Sequence, residues 1–146
     1  MIISIESSSS DLSIALFTNE QLIDKLFIPI KNELSEIIIP TIKNFLFDNS
    51  ITFENISFIT IGCGPGSFTG IRVVIAAAKG IKLSNTNMKI IGINSLAGLA
   101  MSALEEAKEK KCKYIITSID TKRDDIFIQL FKINSPDDGK LPFSAM

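Results

Sequence analysis

The chain has 146 residues, enough to bury a hydrophobic core in one domain or in one domain and part of a second. Hydrophobic residues make up 46% of it and the formal net charge is −1, which excludes a broad electrostatic grip on nucleic acid as the main activity of the isolated chain. The sequence contains no histidine, which excludes Ser-His-Asp and Cys-His catalytic sites and histidine-bearing metal sites.

The N-terminal third predicts a three-stranded antiparallel meander followed by a helix. Short apolar, β-branched runs are separated by the turn sequences SSSSD and TNE, and they predict strands at residues 2–6, 12–17 and 21–28. At residues 33–48 the apolar side chains recur at helical spacing instead. Asn32 is the candidate N-cap of this helix, and we expect Pro40 to kink or divide it.

The remainder of the chain alternates strands and helices. The predicted strands are residues 56–61, 89–93, 114–119 and 125–133, and the predicted helices are residues 71–83 and 95–107. Ser95 is the candidate cap of the second of these helices, and residues 134–146, with SPDDGKLP, are expected to be loose. The order βββ-α-β-α-β-α, followed by a hairpin, predicts an α/β fold with a mixed sheet covered by helices.

A turn with the sequence GCGPGSFTG leads into the helix at residues 71–83, and three interpretations of it stay open. A strand, a glycine turn and a helix N-terminus make a natural anion site. However, no lysine follows Gly70 as in a Walker motif, Thr69 replaces the third glycine of GxGxxG, and Pro65 lacks an N–H donor. A nucleophile elbow needs Gly-x-Ser-x-Gly, whereas Ser67 directly follows a glycine. The third interpretation is structural: the turn brings the helix close to another element.

The helix predicted at residues 71–83 is apolar on two sides. A helical wheel places one apolar face at Ile71, Val74, Ile75, Ala78 and Ile81. A second face of mostly small side chains comprises Val73, Ala76, Ala77 and Gly80, and a narrow strip between the faces holds Arg72 and Lys79. A sheet covers only one side of a helix, so the second face is expected to meet either the helix at residues 33–48 or another protein.

Five segments, in chain order, resemble the TsaB family, also called YeaZ, of tRNA threonylcarbamoyladenosine biosynthesis. They are ISIESSSSDLSIALF, ELSEIIIP, GPGSFTGIR followed by AAAKG, INSLAGLA and IDTKRDDIF. The resemblance as a whole covers residue 1 to about residue 133. Three positions depart from the family's usual pattern, because Glu6-Ser7 replaces Asp-Thr and Leu34 stands where histidine is common.

The resemblance implies an actin/Hsp70-like (ASKHA, ribonuclease H-like) fold, with a mixed five-stranded sheet flanked by helices and an incomplete second lobe. The domains expected from it are an actin-like lobe at residues 1–111, a β-hairpin of the second lobe at residues 112–133 and a tail at residues 134–146. Members of the family usually carry a fuller second lobe. We therefore expect one side of the last strand to lack its usual cover, at Phe127, Phe131 and Ile133.

The resemblance also implies a partner subunit without catalytic activity of its own. In this family TsaD carries the metal-binding histidines and transfers the threonylcarbamoyl group to the adenosine at position 37 of tRNA. TsaB docks on TsaD through its first two helices, which also support homodimers, and the ATPase TsaE joins the pair. We expect tRNA to be bound only through the complex. The expected partner or dimer interface comprises Leu34, Ile38, Ile42, Arg72, Val73, Ala76, Ala77, Lys79 and Gly80.

A nucleotide-binding alternative rests on the loop of the first hairpin, where actin-like ATPases carry an acidic residue near phosphate and metal. The candidate nucleotide or loop contacts are Glu6, Ser7, Gly64, Gly66, Ser67, Thr69, Gly70, Asp120 and Arg123. A serine-capped turn and a solvated hairpin turn are the plain structural interpretations of the same residues. We expect no metal site and no cofactor held stably by this chain alone, and we assign ATP or ADP with Mg²⁺ to the complex. The missing histidines disfavour glycoprotease activity, which was attached to the broader family.

The expected compartment is the cytoplasm. No apolar run approaches the roughly 18 residues that a membrane span needs, and MIISIESSSSD lacks the basic segment that begins a signal peptide. Cys63 and Cys112 form no CxxC pair, which disfavours a redox motif or a zinc ribbon.

Overall fold

A computed structural model describes residues 1–18, 21–30, 33–121, 123–134 and 142–146 of the chain. The chain divides into two units, Met1–Ile93 and Asn94–Met146, and each has a hydrophobic core of its own. Within the described ranges, no helix is both long enough and apolar enough to cross a membrane.

The first unit is built on a five-stranded mixed sheet. Its strands are β1 (Ile2–Glu6), β2 (Asp11–Thr18), β3 (Gln21–Pro29), β4 (Phe58–Gly62) and β5 (Lys89–Ile93). They lie in the order β3-β2-β1-β4-β5, with the first three antiparallel and with β4 and β5 parallel to β1. The predicted meander is confirmed. β4 begins later than predicted, because Phe53–Asn55 form a 3₁₀ turn before it.

One face of this sheet carries the core of the first unit. The register aligns Ile5 with Ile14 of β2 and with Ile61 of β4, so these alternating side chains point to the same face. The core also includes side chains from helices α1 (Leu34–Asp48) and α2 (Phe68–Ser84). The buried helix residues are Leu34, Ile38, Ile42, Phe45 and Leu46 of α1 and Val74, Ala77, Ala78 and Ile81 of α2.

Helix α1 is continuous through Pro40, which we expected to kink or divide it. Pro40 is exposed, and the apolar pattern continues on either side of it at Ile38 and Ile42. Burial of those two residues therefore stabilises the helix across the missing N–H of the proline. Glu33 occupies the N-cap position without a side-chain hydrogen bond, and the predicted cap Asn32 lies outside the described residues.

Strand β3 forms one edge of the first sheet and is its longest strand, with nine residues. The N–H of Ile30 donates to the carbonyl of Ser10 at 3.2 Å. In an antiparallel pair, the backbone N–H and C=O groups of successive residues point alternately toward the neighbouring strand and away from it. Those of Leu26 therefore point toward β2, and those of Lys25 point outward. Pro29, which has no N–H, falls in the outward series, where proline is tolerated.

The second unit combines two helices with a three-stranded antiparallel sheet. Its elements are α3 (Ser95–Ser102), α4 (Leu104–Glu109), β6 (Tyr114–Asp120), β7 (Ile126–Ile133) and β8 (Phe143–Ala145), and the strand order is β6-β7-β8. Asn94, rather than the predicted Ser95, caps α3, because its side-chain oxygen accepts a hydrogen bond from the N–H of Ala97 at 3.0 Å.

The boundary between the units differs from the predicted one. The first unit ends at Ile93 rather than at residue 111, so α3 and α4 belong to the second unit. The reason is packing, because Leu96 and Ala100 of α3 share a hydrophobic core with Phe131 of β7.

The segment at residues 134–146 was expected to be a loose tail, and part of it is a strand. Phe143 of β8 pairs with Ile133 of β7. Its ring also lies edge-on to that of Phe131, with the ring centroids 5.0 Å apart. These contacts add a third strand to the predicted hairpin.

The exposed face of the second sheet is the one opposite to our expectation. Phe131 is buried and Ile133 is half-buried, because both pack with α3 and α4 in the second core. Phe127 alone of the three expected residues is exposed. The exposed aliphatic side chains of the other face are Ile116 (66% exposed), Ile126 (60%) and Ile128 (61%).

Candidate functional site

The glycine turn at residues 62–70 packs against the loop that follows β1. A side-chain carbon added at any of three glycines would overlap the end of β1 or that loop: at Gly62 the Glu6 carboxylate, at Gly66 the carbonyl of Ser8, and at Gly70 the carbonyl of Ser7. Gly64 and Gly66 also have positive φ angles, of 95° and 151°, which other residues rarely adopt. The glycines therefore serve the close approach of two backbone segments, which favours the structural interpretation of the turn.

Ser67 joins the two segments and begins helix α2. Its N–H donates to the carbonyl of Ser8 at 2.6 Å. Its hydroxyl oxygen accepts a hydrogen bond from the N–H of Gly70 at 3.2 Å, so Ser67 is the N-cap of α2. Thr69, in the first turn of the helix, is exposed.

The space between the two loops is narrow in this arrangement. At the N-terminus of α2, the backbone of Gly70 approaches Ser7 so closely that a methyl group would not fit. Glu6 adds a carboxylate, which accepts a hydrogen bond from the N–H of Ser8 and would repel an anion. The hydroxyl of Ser7 is 1% exposed and has no hydrogen-bond partner. A nucleotide could reach that hydroxyl only after the loops separate.

Metal ligands are not brought together in the described part of the chain. In those ranges, no group of three or more Asp, Glu or Cys side chains is arranged to hold a metal ion, and the sequence has no histidine.

The inner face of α2 is wider than the helical wheel predicted. Ala77 was assigned to the outer, small face, but it is 8% exposed and belongs to the core with Val74, Ala78 and Ile81. Val73 is half-buried and packs against the same core. The physical reason is that α2 contacts α1 as well as the sheet, so two sides of the helix are covered within the unit.

The side of α2 that remains exposed is a narrow surface, which we name the outer stripe. It comprises Arg72, Ala76, Lys79, Gly80 and Leu83. These residues recur at helical spacing, and α2 contains no acidic residue, so the stripe is basic. A carbon added at Gly80 would meet nothing within 4 Å, which leaves a shallow gap in the middle of the stripe. Small residues between basic ones suit close approach by a partner helix that carries acidic side chains.

The three interface residues predicted on α1 are part of the core. Leu34, Ile38 and Ile42 are all buried, because the apolar face of α1 packs on the sheet of its own unit. Another protein cannot contact them without a rearrangement of α1. The side of α1 that is exposed carries Glu36, Pro40, Lys43 and Phe47.

Sequence reasoning missed three exposed apolar side chains beside the predicted interface. They are Phe47 of α1 and Phe68 and Leu83 of α2. Phe68 precedes the range assigned to the helix, and the Arg72 guanidinium lies 3.8 Å from the centroid of its ring. Leu83 is the last residue of the predicted range and lies four residues after Lys79, so the wheel places it on the outer stripe, although neither predicted face included it.

Asp120 and Arg123 lie at the turn between β6 and β7, in the second unit. The hydroxyl oxygen of Thr121 accepts a hydrogen bond from the N–H of Arg123 at 3.1 Å, and the same hydroxyl donates to the carbonyl of Asp125 at 2.9 Å. Thr121 therefore organises the turn, and the Arg123 side chain is exposed.

Comparison with known proteins assigns the family. The model described as "TsaD: tRNA N6-adenosine threonylcarbamoyltransferase" matches residues 29–136. The chain belongs to this family. Several proteins that it resembles are named TsaB or YeaZ.

Curated TsaB relatives match most of this chain and about half of their own length. The "tRNA threonylcarbamoyladenosine biosynthesis protein TsaB" of Buchnera aphidicola subsp. Schizaphis graminum is 33% identical over 76% of this chain and 52% of the relative. The protein of the same name from Buchnera aphidicola subsp. Acyrthosiphon pisum is 30% identical over 87% of this chain and 55% of the relative. That from Escherichia coli is 25% identical over 86% of this chain and 52% of the relative. The chain therefore spans about half the length of the curated TsaB relatives it matches.

A solved structure confirms the fold. YeaZ from Pseudomonas aeruginosa superposes with a TM-score of 0.76 at 18% identity, and the match covers 99% of this chain and 63% of that one. The predicted α/β fold, with a mixed five-stranded sheet flanked by helices, is thus confirmed, whereas the residues of the docking surface stay predictions.

Proposed function

We propose that this chain is a non-catalytic subunit that binds TsaD and supports formation of threonylcarbamoyladenosine at position 37 of tRNA. Membership of the TsaB branch supports the pathway, because the matched relatives are named for it. The observation that supports docking is the outer stripe, an exposed row of small and basic residues on a helix whose opposite side is core.

The composition of the chain supports a role without catalysis. The sequence has no histidine, so the metal-binding histidines of the reaction are assigned to TsaD. In this proposal the ATPase TsaE joins the complex of this chain with TsaD. tRNA is bound only through that complex, and the proposed compartment is the cytoplasm.

Docking through the outer stripe has a simple physical basis. Ala76 and Gly80 let the backbone of a partner helix approach closely, so dispersion contacts form along both helices. Arg72 and Lys79 flank that contact and attract acidic side chains of TsaD, which fixes the orientation of the complex. A second copy of the chain is proposed to compete for the same surface.

The test replaces small exposed residues of the stripe with a charged one. Ala76→Glu and Gly80→Glu should leave the fold intact, because both positions are exposed and Gly80 has free space around it. Each change should weaken the complex with the cognate TsaD by about 30-fold or more, since a glutamate would be buried at the helix contact. Size-exclusion chromatography and titration calorimetry of the purified pair measure the loss.

Thr86→Glu is the matched control, because Thr86 is exposed but follows the end of α2. It should bind TsaD as the unchanged chain does. A complex that survives both Ala76→Glu and Gly80→Glu would show that the outer stripe is not the docking surface. Ala77→Glu is not an informative variant, because Ala77 lies in the core and its replacement would unfold the unit.

A second candidate function is nucleotide binding by a degenerate actin-like site. The observation that favours it is the buried hydroxyl of Ser7, which has no hydrogen-bond partner and lies beside the N-terminal turn of α2. The observation against it is the tight contact of the loops. We propose that the chain alone holds no nucleotide stably, and that ATP or ADP with Mg²⁺ binds in the complex only if docking separates the loops.

Calorimetry with ATP and Mg²⁺ distinguishes these states. The isolated chain should give no heat of binding at about 1 mM nucleotide, whereas its complex with TsaD should bind nucleotide if docking separates the loops. Ser7→Ala in the complex should weaken that binding if the loop contributes, and should have no effect if TsaD alone holds the nucleotide. Binding by the isolated chain would instead support the degenerate ATPase.

A further inference from the structure

The loop between β1 and β2 is attached to the rest of the first unit by polar contacts. It consists of four serines, residues 7–10, so it contributes no apolar side chain to the core. β1 ends at Glu6 and β2 begins at Asp11, so the loop lies outside the paired residues of these two strands. The middle of the loop can therefore move without breaking the sheet.

Both ends of this loop are held in place. At one end, the carbonyl of Ser7 lies against Gly70 in the first turn of α2. At the other end, the carbonyl of Ser10 accepts a hydrogen bond from the N–H of Ile30 at 3.2 Å. Movement is thus confined to residues 8 and 9, which lie between these two contacts.

One hydrogen bond ties the middle of the loop to the glycine turn. The carbonyl of Ser8 accepts it from the N–H of Ser67, the N-cap residue of α2, at 2.6 Å. The same carbonyl lies so close to Gly66 that no side chain fits there. Separation of Ser8 from the turn would release this bond and leave both groups to water, so its net cost is that of one ordinary hydrogen bond.

A buried hydroxyl opposes the closed arrangement of the loop. Ser7 is 1% exposed, and its hydroxyl has no hydrogen-bond partner among the described residues. A hydroxyl that is buried without a partner carries a cost similar in size to the contribution of one hydrogen bond. The bond from Ser67 to Ser8 and the cost at Ser7 therefore largely offset each other.

We infer that residues 8 and 9 form a latch, which exchanges between this closed arrangement and an open one. In the open state the N–H of Ser67 and the hydroxyl of Ser7 both reach water at the N-terminus of α2. Two such donors at a helix N-terminus suit a phosphate group. The latch thus controls access to the site of the second candidate function, and this use of it rests on that proposed function, whereas the opening does not.

Amide hydrogen exchange of the isolated chain, measured by NMR without TsaD or nucleotide, tests the opening. The N–H of Ser67 should exchange about 100-fold faster or more than those of Ile5 and Ile61, which lie in inner strands of the sheet. Low concentrations of urea should leave the rate at Ser67 unchanged, because opening of the latch exposes little surface. Exchange of Ser67 only as fast as that of Ile5 would overturn the latch.

Ser7→Ala distinguishes an unpaired hydroxyl from one that stabilises the closed loop. Removal of an unpaired hydroxyl relieves its cost in the closed state, so exchange at Ser67 should slow about 10-fold. Ser4→Ala, at a half-buried serine of β1, is the matched control and should leave that rate unchanged. Unchanged or faster exchange at Ser67 in the Ser7→Ala chain would contradict the proposal.

Gly66→Ala should favour the open state. The added methyl group overlaps the carbonyl of Ser8, and alanine rarely adopts the φ of 151° found at this position. Ser67 should lose its protection against exchange while Ile5 stays protected, whereas Gly80→Ala, which has free space, should leave Ser67 as it is. Loss of protection at both Ser67 and Ile5 would show that the loop does not open separately.

Phosphorus NMR with inorganic phosphate at about 10 mM tests the link to the nucleotide site. The isolated Gly66→Ala chain should bind phosphate, and the unchanged chain should not. If Ser67 opens as expected but the Gly66→Ala chain binds no phosphate, the latch stands and its control of a phosphate site is refuted. Docking on TsaD is measured separately, so its outcome does not depend on either result.

Discussion

Gly70 shows how the absence of a side chain organises the first unit. Its backbone lies against the carbonyl of Ser7, a residue from the other end of the unit's sequence, and Ser67 fixes the same contact by donating to Ser8. The N-terminus of α2 and the first hairpin loop are thereby held together. Because this contact needs an empty position rather than a particular functional group, only glycine satisfies it.

Two substitutions of glycine by alanine in the same helix should therefore have opposite effects. Gly70→Ala should lower the free energy of unfolding by about 2 to 3 kcal/mol, because the new methyl group overlaps backbone that cannot move away. Gly80→Ala should raise it by about 1 kcal/mol, since its surroundings are empty and alanine favours helix. Urea denaturation measures both, and equal effects would contradict the close contact at Gly70.

The sequence predicted part of this residue-scale picture. The failed Walker and GxGxxG patterns left close approach as one interpretation of the glycines, and the contacts favour it. What the glycines approach was not predictable, since Ser7 and Ser8 are distant along the chain. The hydrogen bond from Ser67 to Ser8 is likewise visible only once the tertiary structure is known.

At the scale of elements, the apolar faces of the helices were predicted better than the elements that cover those faces. The wheel of α2 separated two faces correctly at Val74 and Ala76, because apolar periodicity follows from helix geometry alone. It assigned Ala77 to the wrong face, since contact with α1 widens the buried side. The α1 residue Ile38 was assigned to a partner for the same reason: periodicity shows that a face is apolar, but not what covers it.

Proline in the middle of α1 gives a prediction at this scale. Pro40→Ala should raise the free energy of unfolding by about 1 to 3 kcal/mol, because alanine restores the N–H that can bond to the carbonyl of Glu36. Lys43→Ala, one turn further along the exposed side, should change it by less than about 0.5 kcal/mol. Destabilisation by Pro40→Ala would mean that the proline ring makes contacts that outweigh the restored hydrogen bond.

At the scale of the whole molecule, the fold class followed from the order of the elements. Three strands and then alternating helices and strands leave few ways to cover a sheet, so a mixed sheet flanked by helices was predictable. The unit boundary was not, because the apolar face of α3 does not specify which sheet it covers. Strand β8 was missed as well, since three residues are too few for a period to be recognised.

The position of β3 at the edge of its sheet affects solubility at high protein concentration. Its outward backbone groups could template the growth of fibrils, and its exposed Leu22, Ile23 and Phe27 are β-formers. Lys25 and Pro29 are among the residues whose backbone points outward, and both oppose such growth. The charge of Lys25 repels the same lysine of a second copy, and Pro29 has no N–H to donate to an added strand. Both residues therefore oppose edge-to-edge pairing of β3 with further copies, and this role is separate from any catalytic or docking role.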